Sequence, residues 1–517
     1  MLTRLEIMDT TLRDGEQMKN VSYSPDEKLT LSKILLEEIR VDRIEVTSAK
    51  VSKGENDAVR KIVEWANRNR YGEKIEVLGF VDIHESADWI SKLEGKVINI
   101  LSKGSLKHLT TQLKKTKEQH LKEIKETIRY ANKKGLICNI WFEDWSNGMI
   151  DSPDYVYFLL DHLREENIKR FMLPDTLGIL YPSQVYNFIK EIILKYPGLH
   201  FDFHGHNDYG LATANTIAAA EAGVKGVHCT ANGMGERAGN AALDEVVVGI
   251  RDFLKIETTV DEKKLFNLSK TVEAFSTYRI AANKPISGEN VFTQTAGIHA
   301  DGDRKGNLYT SKLLPERFNR KRQYSLGKLS GKSNLDFNLE EIGLQISKKQ
   351  KMDVLNKIVE LSDKKKTITT ADLPYIVSDV LNTPEENIFK LKAYNILTSH
   401  STRPVATIKM LYKTNGNPDF IELEESAQGN GGYDAFMNAI KKIFKKINLD
   451  LPLLVDYIIT IPPGGKTDSL VQCTITWEME NKNFITKGVN SDQVLAAVEA
   501  TAKMINVVAL LGKEKLK

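Results

Sequence analysis

The chain has 517 residues, more than one ordinary globular core accommodates, so we expect two or three domains. Its 72 Lys and Arg residues nearly balance 69 Asp and Glu residues, which leaves a net charge of +3 and no long basic block. Because nucleic-acid binding requires a concentrated Lys/Arg patch, this composition argues against a nucleic-acid partner.

The cysteines and the apolar runs indicate the compartment. Cys138, Cys229 and Cys473 include no CxxC pair, so they form neither a disulfide framework nor a structural zinc site. The first residues carry charges where a signal peptide needs an apolar segment, and no apolar run is long enough to span a membrane. We therefore expect a cytoplasmic protein that makes no membrane contact.

The first half of the chain alternates between short apolar runs and longer amphipathic segments. The runs predicted as strands are RLEIMDTTL, RIEVTS, KIEVLGFVD, KVINILSKG, LICNIWFED, KRFMLPDT, HFDFHGHND and GVHCTANGMG. The segments between them, such as PDEKLTLSKILLEEI and NDAVRKIVEWANRN, are predicted helices. Eight strands alternating with helices over about 250 residues predict a (β/α)8 TIM barrel. A doubly wound open sheet is disfavoured, because TLRDGEQ stands where a dinucleotide-binding fingerprint would follow the first strand.

The pattern changes twice after the barrel. We predict a TIM-barrel domain at residues 1–265, helical linker subdomains at 266–387 and a C-terminal α+β domain at 388–517. The last domain contains two successive groups of predicted strands, each followed by a predicted helix, which indicates an internal duplication. The predicted strands are IFKLKAYNILTSH, PVATIKMLYK and FIELEES in the first group, and LVDYIITIPP and LVQCTITWEME in the second.

Polar residues at the predicted strand ends indicate a metal site, because barrels of this kind carry their chemistry at the C-terminal ends of the strands. His204 and His206 lie two residues apart in one predicted strand, so their side chains point to the same face. Asp14, after the first strand, is a third candidate ligand. Two imidazoles and a carboxylate suit Zn²⁺, Mn²⁺ or Co²⁺, with Mg²⁺ as a further candidate. Taken alone, an HxH pair is more often accidental than metal-binding.

Arg13 stands beside Asp14 and suggests the kind of substrate. A metal ion next to a guanidinium suits an α-keto acid, because the ion polarises the ketone while Arg neutralises charge on oxygen. The alternative is an ion pair of Arg13 with Glu45 or Glu143, and both roles can hold at once.

Several motifs together resemble one enzyme family. They are DTTLRDGEQ at 9–17, HGHNDYGLATAN at 204–215, NGMGERAGN at 232–240, GENVFTQTAGIHADGDRKGNLY at 288–309, and the C-terminal GGYDAFMNA and IPPGGKTDSLV. These resemble the α-isopropylmalate synthase, citramalate synthase and homocitrate synthase family over essentially the whole chain. The resemblance implies a Claisen-type condensation of acetyl-CoA with an α-keto acid, followed by thioester hydrolysis.

The resemblance also implies roles for individual residues and a homodimer. The implied roles are metal binding by Asp14, His204, His206 and Asn240, keto-acid binding by Arg13 and Thr176, and proton transfer assisted by Glu143, His299 and Tyr309. In this family the histidine that matches His299 comes from the other subunit, so the active site is expected to be shared between two chains.

The C-terminal domain resembles an end-product sensor for a branched-chain amino acid, either isoleucine or leucine. The matching effector positions are Tyr433, Asp434, Tyr457 and Thr467. For Tyr433 and Asp434 there is an alternative, because they could instead cap the predicted helix AFMNAIKKIF.

The fourth and fifth strands depart from the isopropylmalate synthase pattern. NILSKGSLKH replaces a TSD-like element, and IWFEDWSNG replaces SxED followed by small residues. This version resembles a branch of citramalate synthases, which use pyruvate. Leu78, Leu101 and Trp141 fall near the mouth ends of strands three, four and five, where they would admit the methyl group of pyruvate but not the isopropyl group of 2-oxoisovalerate. They could also be ordinary apolar residues of the barrel interior.

We therefore expect a citramalate synthase, with 2-isopropylmalate synthase as the near alternative. An acyl-CoA lyase on a related barrel, such as hydroxymethylglutaryl-CoA lyase, would lack the C-terminal sensor domain. A non-catalytic metabolite-binding protein would not need the full set of Arg13, Asp14, Glu143, His204, His206 and His299.

Overall fold

The computed structural model describes residues 4–341, 344–363, 368, 370–373, 376, 377, 380, 389–413, 420–460, 471–479 and 482–511. The chain divides into two compact units. The first unit comprises Met1–Phe292 and Ser311–Lys321, and the second comprises Thr293–Thr310 and Arg322–Lys517.

The first unit is built around a closed barrel of eight parallel strands that pair in chain order. The strands are β1 (Glu6–Asp9), β2 (Arg43–Ser48), β3 (Ile75–Phe80), β4 (Val97–Lys103), β5 (Ile137–Glu143), β6 (Arg170–Asp175), β7 (Phe201–Gly205) and β8 (Gly226–Cys229). Pairing of β8 with β1 closes the barrel, with Glu6 opposite Gly226 and Met8 opposite His228. The predicted (β/α)8 barrel is confirmed, and every strand lies within the run predicted for it.

Helices in the connections between strands form the outer layer of the barrel. Those of seven residues or more in the first unit are Pro25–Lys33, Lys53–Arg68, Glu85–Lys92, Lys117–Lys133, Trp145–Asp151, Pro153–Leu163, Pro182–Lys195, Ala212–Ala222, Leu243–Gly249 and Leu265–Ser276. Their starts follow local sequence signals. Ser24, for example, accepts a hydrogen bond from the backbone N–H of Glu27, while the Glu27 carboxylate accepts one from the backbone N–H of Ser24.

Charged side chains fill the N-terminal half of the barrel interior. The Arg43 guanidinium donates to Glu76 at 2.9 Å and to Asp202 at 2.6 Å, and all three side chains are buried. His228 Nε2 lies 3.1 Å from Asp202 Oδ2, the same oxygen that accepts from Arg43. These paired side chains fill the centre of the barrel. We therefore expect ligands to bind at its two mouths.

Lys28 fixes the loop that follows β1. Its ammonium group is fully buried, with Glu16 and Glu55 carboxylate oxygens each at 2.6 Å. It also donates to the backbone carbonyls of Leu12, at 3.1 Å, and of Val46, at 3.3 Å. This buried cation therefore ties the loop that carries Arg13 and Asp14 to the end of β2.

The first part of the second unit is mainly helical, with helices at Gly297–Gly306, Lys332–Glu341 and Lys348–Asp363. A short parallel pair, β9 (Thr293–Gln294) and β10 (Gln323–Tyr324), joins two of its segments. Leu335, Leu339, Val354 and Ile358 form part of its small apolar core.

The rest of the second unit repeats one arrangement, three antiparallel strands followed by a helix. The elements are β11 (Phe389–Leu397), β12 (Val405–Lys413), β13 (Phe420–Gln428) and helix Gly432–Lys446, then β14 (Leu453–Thr460), β15 (Val471–Met479), β16 (Lys482–Asn490) and helix Gln493–Leu511. The α+β character is confirmed, but the strand prediction missed β16. Its sequence KNFITKGVN shows little alternation of apolar and polar residues. The strand is instead stabilised by its antiparallel pairing with β15. Within the described residues, no helix is both long and apolar enough to cross a membrane.

Candidate active site at the C-terminal mouth of the barrel

Asp14, His204 and His206 converge at the C-terminal mouth of the barrel, and all three are buried. The two Nε2 atoms of His204 and His206 lie 3.3 Å apart. Asp14 Oδ2 lies 3.4 Å from His204 Nε2 and 4.0 Å from His206 Nε2. His204 is on β7, and His206 follows the end of this strand, where it forms a backbone bridge with Asn240.

The protonation states of these groups suit a cation. Burial together with the neighbouring His204 lowers the pKa of His206 to about 4, and burial also lowers the pKa of His204. Burial raises the pKa of Asp14, but Arg13 and His204 outweigh it and hold the pKa of this carboxyl well below its usual range. At neutral pH the cluster therefore offers one carboxylate and two neutral imidazoles, which are the protonation states that metal binding requires.

The distances also fit a metal ion. Four ligands at about 2.1 Å in a tetrahedron lie about 3.4 Å from one another, close to the separations of these three ligand atoms. Asn240 donates from Nδ2 to Asp14 Oδ1 at 3.0 Å, while its own buried Oδ1 has no hydrogen-bond partner among the described residues. This oxygen is a further candidate ligand. The donor set therefore fits a divalent ion.

Arg13 links this cluster to the barrel wall. It donates from Nη1 to Asp14 at 2.9 Å and pairs through Nε with Glu45. Its guanidinium carbon also lies 5.4 Å from the centroid of the Trp141 ring. The alternative ion pair with Glu45 is thus present, whereas Glu143 pairs elsewhere. The bonds to Asp14 and Glu45 use Nε and Nη1 and leave Nη2 free of hydrogen bonds to the residues that the structure describes.

A chain of buried amides supports Glu45. Asn99 donates to Glu45 Oε1 at 2.7 Å, and Asn139 donates to Asn99 at 2.8 Å. Sequence reasoning missed both asparagines. Each interrupts an otherwise apolar strand at an inward-facing position, and such a polar interruption is the signal that could have identified them.

Leu78, Leu101 and Trp141 lie in one apolar cluster with Met8 and Met172, two residues that the sequence analysis did not single out. Trp141 is buried, and its ring meets the ring of His204 edge-on, with 5.1 Å between centroids. The apolar cluster therefore lies directly beside the candidate metal ligands.

Glu143, at the end of β5, forms an ion pair with Lys103, at the end of β4. The two residues face each other in the strand register, and Lys103 is buried. Sequence reasoning missed Lys103, although a lysine at the mouth end of a barrel strand is a signal that could have been used. Thr176 lies just after β6, and its hydroxyl oxygen accepts a hydrogen bond from the backbone N–H of Asp144 at 2.9 Å.

The remaining candidate residues belong to the second unit. The rings of His299 and Tyr309 pack together with 4.1 Å between centroids. The rings of Tyr433 and Tyr457 lie 5.3 Å apart, and the Tyr433 hydroxyl forms a 2.7 Å hydrogen bond with Thr501. Thr467 lies outside the described residues.

Asp434 contacts the turn that precedes its helix. It is the third residue of helix Gly432–Lys446, and its carboxylate accepts a hydrogen bond from the backbone N–H of Asn430 at 2.7 Å. The N-cap position is Gly431, and no side chain caps the helix by a hydrogen bond within the described residues.

Comparison with known protein families finds matches for three stretches of the chain. Residues 4–272 match the HMGL-like family. Residues 286–366 match the homocitrate synthase post-HMGL domain-like family, and residues 367–509 match the LeuA allosteric (dimerisation) domain.

Full-length relatives carry two enzyme names. A putative (R)-citramalate synthase of Archaeoglobus fulgidus is 33% identical over 98% of this chain and 99% of its own length. The (R)-citramalate synthase of Methanocaldococcus jannaschii is 31% identical over 97% of this chain and 99% of its own. The 2-isopropylmalate synthase of the same organism is 33% identical over 99% of this chain and 96% of its own. The chain therefore belongs to the HMGL-like family and, within it, to the group of citramalate and 2-isopropylmalate synthases.

Proposed function

We propose that the protein is an (R)-citramalate synthase, which condenses acetyl-CoA with pyruvate and hydrolyses the thioester to give citramalate and CoA. The choice of pyruvate rests on one observation. Leu78, Leu101 and Trp141 belong to an apolar cluster that lies beside Arg13 and the candidate metal ligands. Relatives with each enzyme name are almost equally identical to the chain, so identity alone does not choose the keto acid. 2-Isopropylmalate synthase, with 2-oxoisovalerate as acceptor, remains the alternative.

In this proposal, Asp14, His204 and His206 hold a divalent ion, with Asn240 as a further ligand or neighbour. When bound, the ion would polarise the ketone of the acceptor. Arg13 would orient the keto acid through Nη2, because its Nη1 and Nε already contact Asp14 and Glu45. Thr176 would contact the same acceptor from the end of β6.

The condensation needs a base, because the acetyl methyl group is a very weak acid. Glu143 would assist removal of a methyl proton, and the methyl carbon would then form a bond with the keto carbon of pyruvate. His299 and Tyr309 would assist the later proton transfers from the partner chain of a homodimer, and water would release CoA from the thioester. The packing of the His299 and Tyr309 rings supports a joint role for these two residues.

Replacement of Trp141 by Ala tests the acceptor pocket. The variant should gain activity on 2-oxoisovalerate relative to pyruvate, because removal of the indole makes room for the isopropyl group. We expect the ratio of kcat/KM values for the two acceptors to shift by about 10-fold or more. The measurement is free-thiol release from acetyl-CoA with each keto acid.

Trp89→Ala is the control for this test, since Trp89 is partly buried on the outer helix Glu85–Lys92. It should leave the acceptor ratio unchanged. An unchanged ratio in Trp141→Ala would refute the pocket assignment. A wild-type protein that prefers 2-oxoisovalerate would refute the citramalate synthase proposal in favour of isopropylmalate synthase.

Replacement of Lys103 by Met tests the role of Glu143. Without its ion pair, Glu143 is no longer held in one orientation, so kcat should fall by about 10-fold with little change in KM for pyruvate. Trideuterated acetyl-CoA should show a larger kinetic isotope effect in this variant, because removal of the methyl proton becomes slower. Lys103→Arg should recover most of the turnover. Lys107→Met is the control on an exposed neighbouring lysine. An unaltered isotope effect in Lys103→Met would count against Glu143 as the base.

We further propose that the C-terminal domain binds isoleucine, or leucine in the alternative function, near Tyr433 and Tyr457. The proximity of the two rings and the match to an allosteric domain support this proposal. Asp434 and Thr467 would complete the site.

Replacement of Tyr457 by Ala should weaken isoleucine binding by about 10-fold and reduce inhibition while turnover without isoleucine is retained, because an aromatic contact of the bound amino acid is lost. Calorimetry and inhibition curves measure the two effects. Tyr394→Ala, on β11 of the same domain, is the control. Equal isoleucine affinity in wild type and Tyr457→Ala would place the effector elsewhere.

A further inference from the structure

A pocket of about 510 Å³ lies at the N-terminal mouth of the barrel, the end opposite the candidate active site. Residues at or just before the starts of β1, β2, β3, β4 and β6 contribute to its lining, together with the end of helix Lys53–Arg68 and the loop that follows it. Apart from Gly72, every lining residue has a polar or charged side chain. The pocket is therefore unsuited to an apolar ligand.

The lining contains six Lys or Arg residues and three Asp or Glu residues, an excess of three positive charges. Two of the three carboxylates already form ion pairs within the protein. Glu6 pairs with Arg43 and Arg170 at the floor of the pocket, and Asp42 pairs with Arg4 outside it. Only Glu73, on the rim, has no ion-pair partner within the described part of the chain.

The excess positive charge belongs to four rim residues: Arg70, Lys74, Lys96 and Lys169. None of them forms an ion pair with a residue that the structure describes. Among the described residues, their charged groups make one ring contact, that of the Lys74 ammonium nitrogen with the Tyr71 ring, 5.5 Å from its centroid. Four cations without an ion-pair partner in the described part of the chain raise the local concentration of anions around this concavity.

The fold explains why three of these lysines meet. Lys74, Lys96 and Lys169 each directly precede a strand, β3, β4 and β6 respectively, so parallel pairing brings them to the same mouth. Lys225 precedes β8 in the same way but does not line the pocket. A lysine at this end of the barrel also complements the C-terminal ends of the outer helices. Lys225 shares that role, which makes it a matched control for ligand binding.

We propose that this pocket binds a small phosphorylated molecule through a phosphate or diphosphate group. Phosphate oxygens carry enough charge to engage several cations at once, and lysine ammonium groups bind phosphate as point charges. The volume suits a small ligand, since sites for such molecules measure about 300 to 1,000 Å³. The floor arginines are already paired with Glu6 and with the buried carboxylates of Glu76 and Asp202, so the rim residues supply the binding charge. The site is separate from the acetyl-CoA reaction at the other mouth.

Inorganic pyrophosphate titrated into the full-length protein tests this site by calorimetry. Wild-type protein should show saturable binding of one pyrophosphate per chain, weakened by added salt because the contacts are electrostatic. The double variant Lys96→Ser/Lys169→Ser should bind at least 10-fold more weakly, while Lys225→Ser should bind like wild type. Turnover of acetyl-CoA by the double variant should stay at the wild-type level, which keeps this test independent of the proposed function.

Two results would overturn the proposal. One is the absence of saturable pyrophosphate binding to wild-type protein. The other is an equal loss of affinity in Lys225→Ser and in the double variant, which would mean that the anion is attracted by the general charge of this mouth and not by the pocket.

Discussion

Closure of the barrel between β8 and β1 is the constraint on which the site depends. Asp14 follows β1, His204 and His206 lie at the end of β7, and Asn240 lies beyond β8. These residues are up to 226 positions apart in the sequence, yet Asn240 donates to Asp14 at 3.0 Å. Because parallel strands direct their C-terminal ends to one mouth, the fold brings the candidate ligand atoms together. The buried Lys28 adds a second restraint by anchoring the loop that carries Asp14.

A continuous set of polar contacts then fixes the orientation of Arg13 and Asp14 in the candidate site. It runs from Asn139 through Asn99 and Glu45 to Arg13 and Asp14. Each member restricts the next, so the Arg13 guanidinium lies in one position between Asp14 and the face of Trp141. Such preorganisation favours catalysis, because the groups need not rearrange when the substrate binds. The same arrangement combines charge recognition on one side of the site with an apolar wall on the other.

The alternating pattern of the sequence was enough to predict the eight strands and the mouth at which the candidate site lies. It was also enough to predict that His204 and His206 share a face. The sequence pattern could not predict which buried polar residues pair with each other. Lys103 and Glu143, like Asn99 and Glu45, come together only through the register of the strands. The strand β16 was missed because its stability comes from pairing with β15 and not from its own pattern. Roles such as those of Asn240 and His299 came from family resemblance alone.

The central claim is that Asp14, His204 and His206 form a single divalent-metal site. Titration of metal-free protein with Mn²⁺, followed by electron paramagnetic resonance of the free ion, tests it most directly. Wild-type protein and His200→Leu, which alters a histidine at the opposite mouth, should each bind one ion per chain with equal affinity. His206→Leu should bind at least about 10-fold more weakly, because one ligand is lost. Undiminished affinity in His206→Leu, or no stoichiometric binding by wild-type protein, would contradict the account.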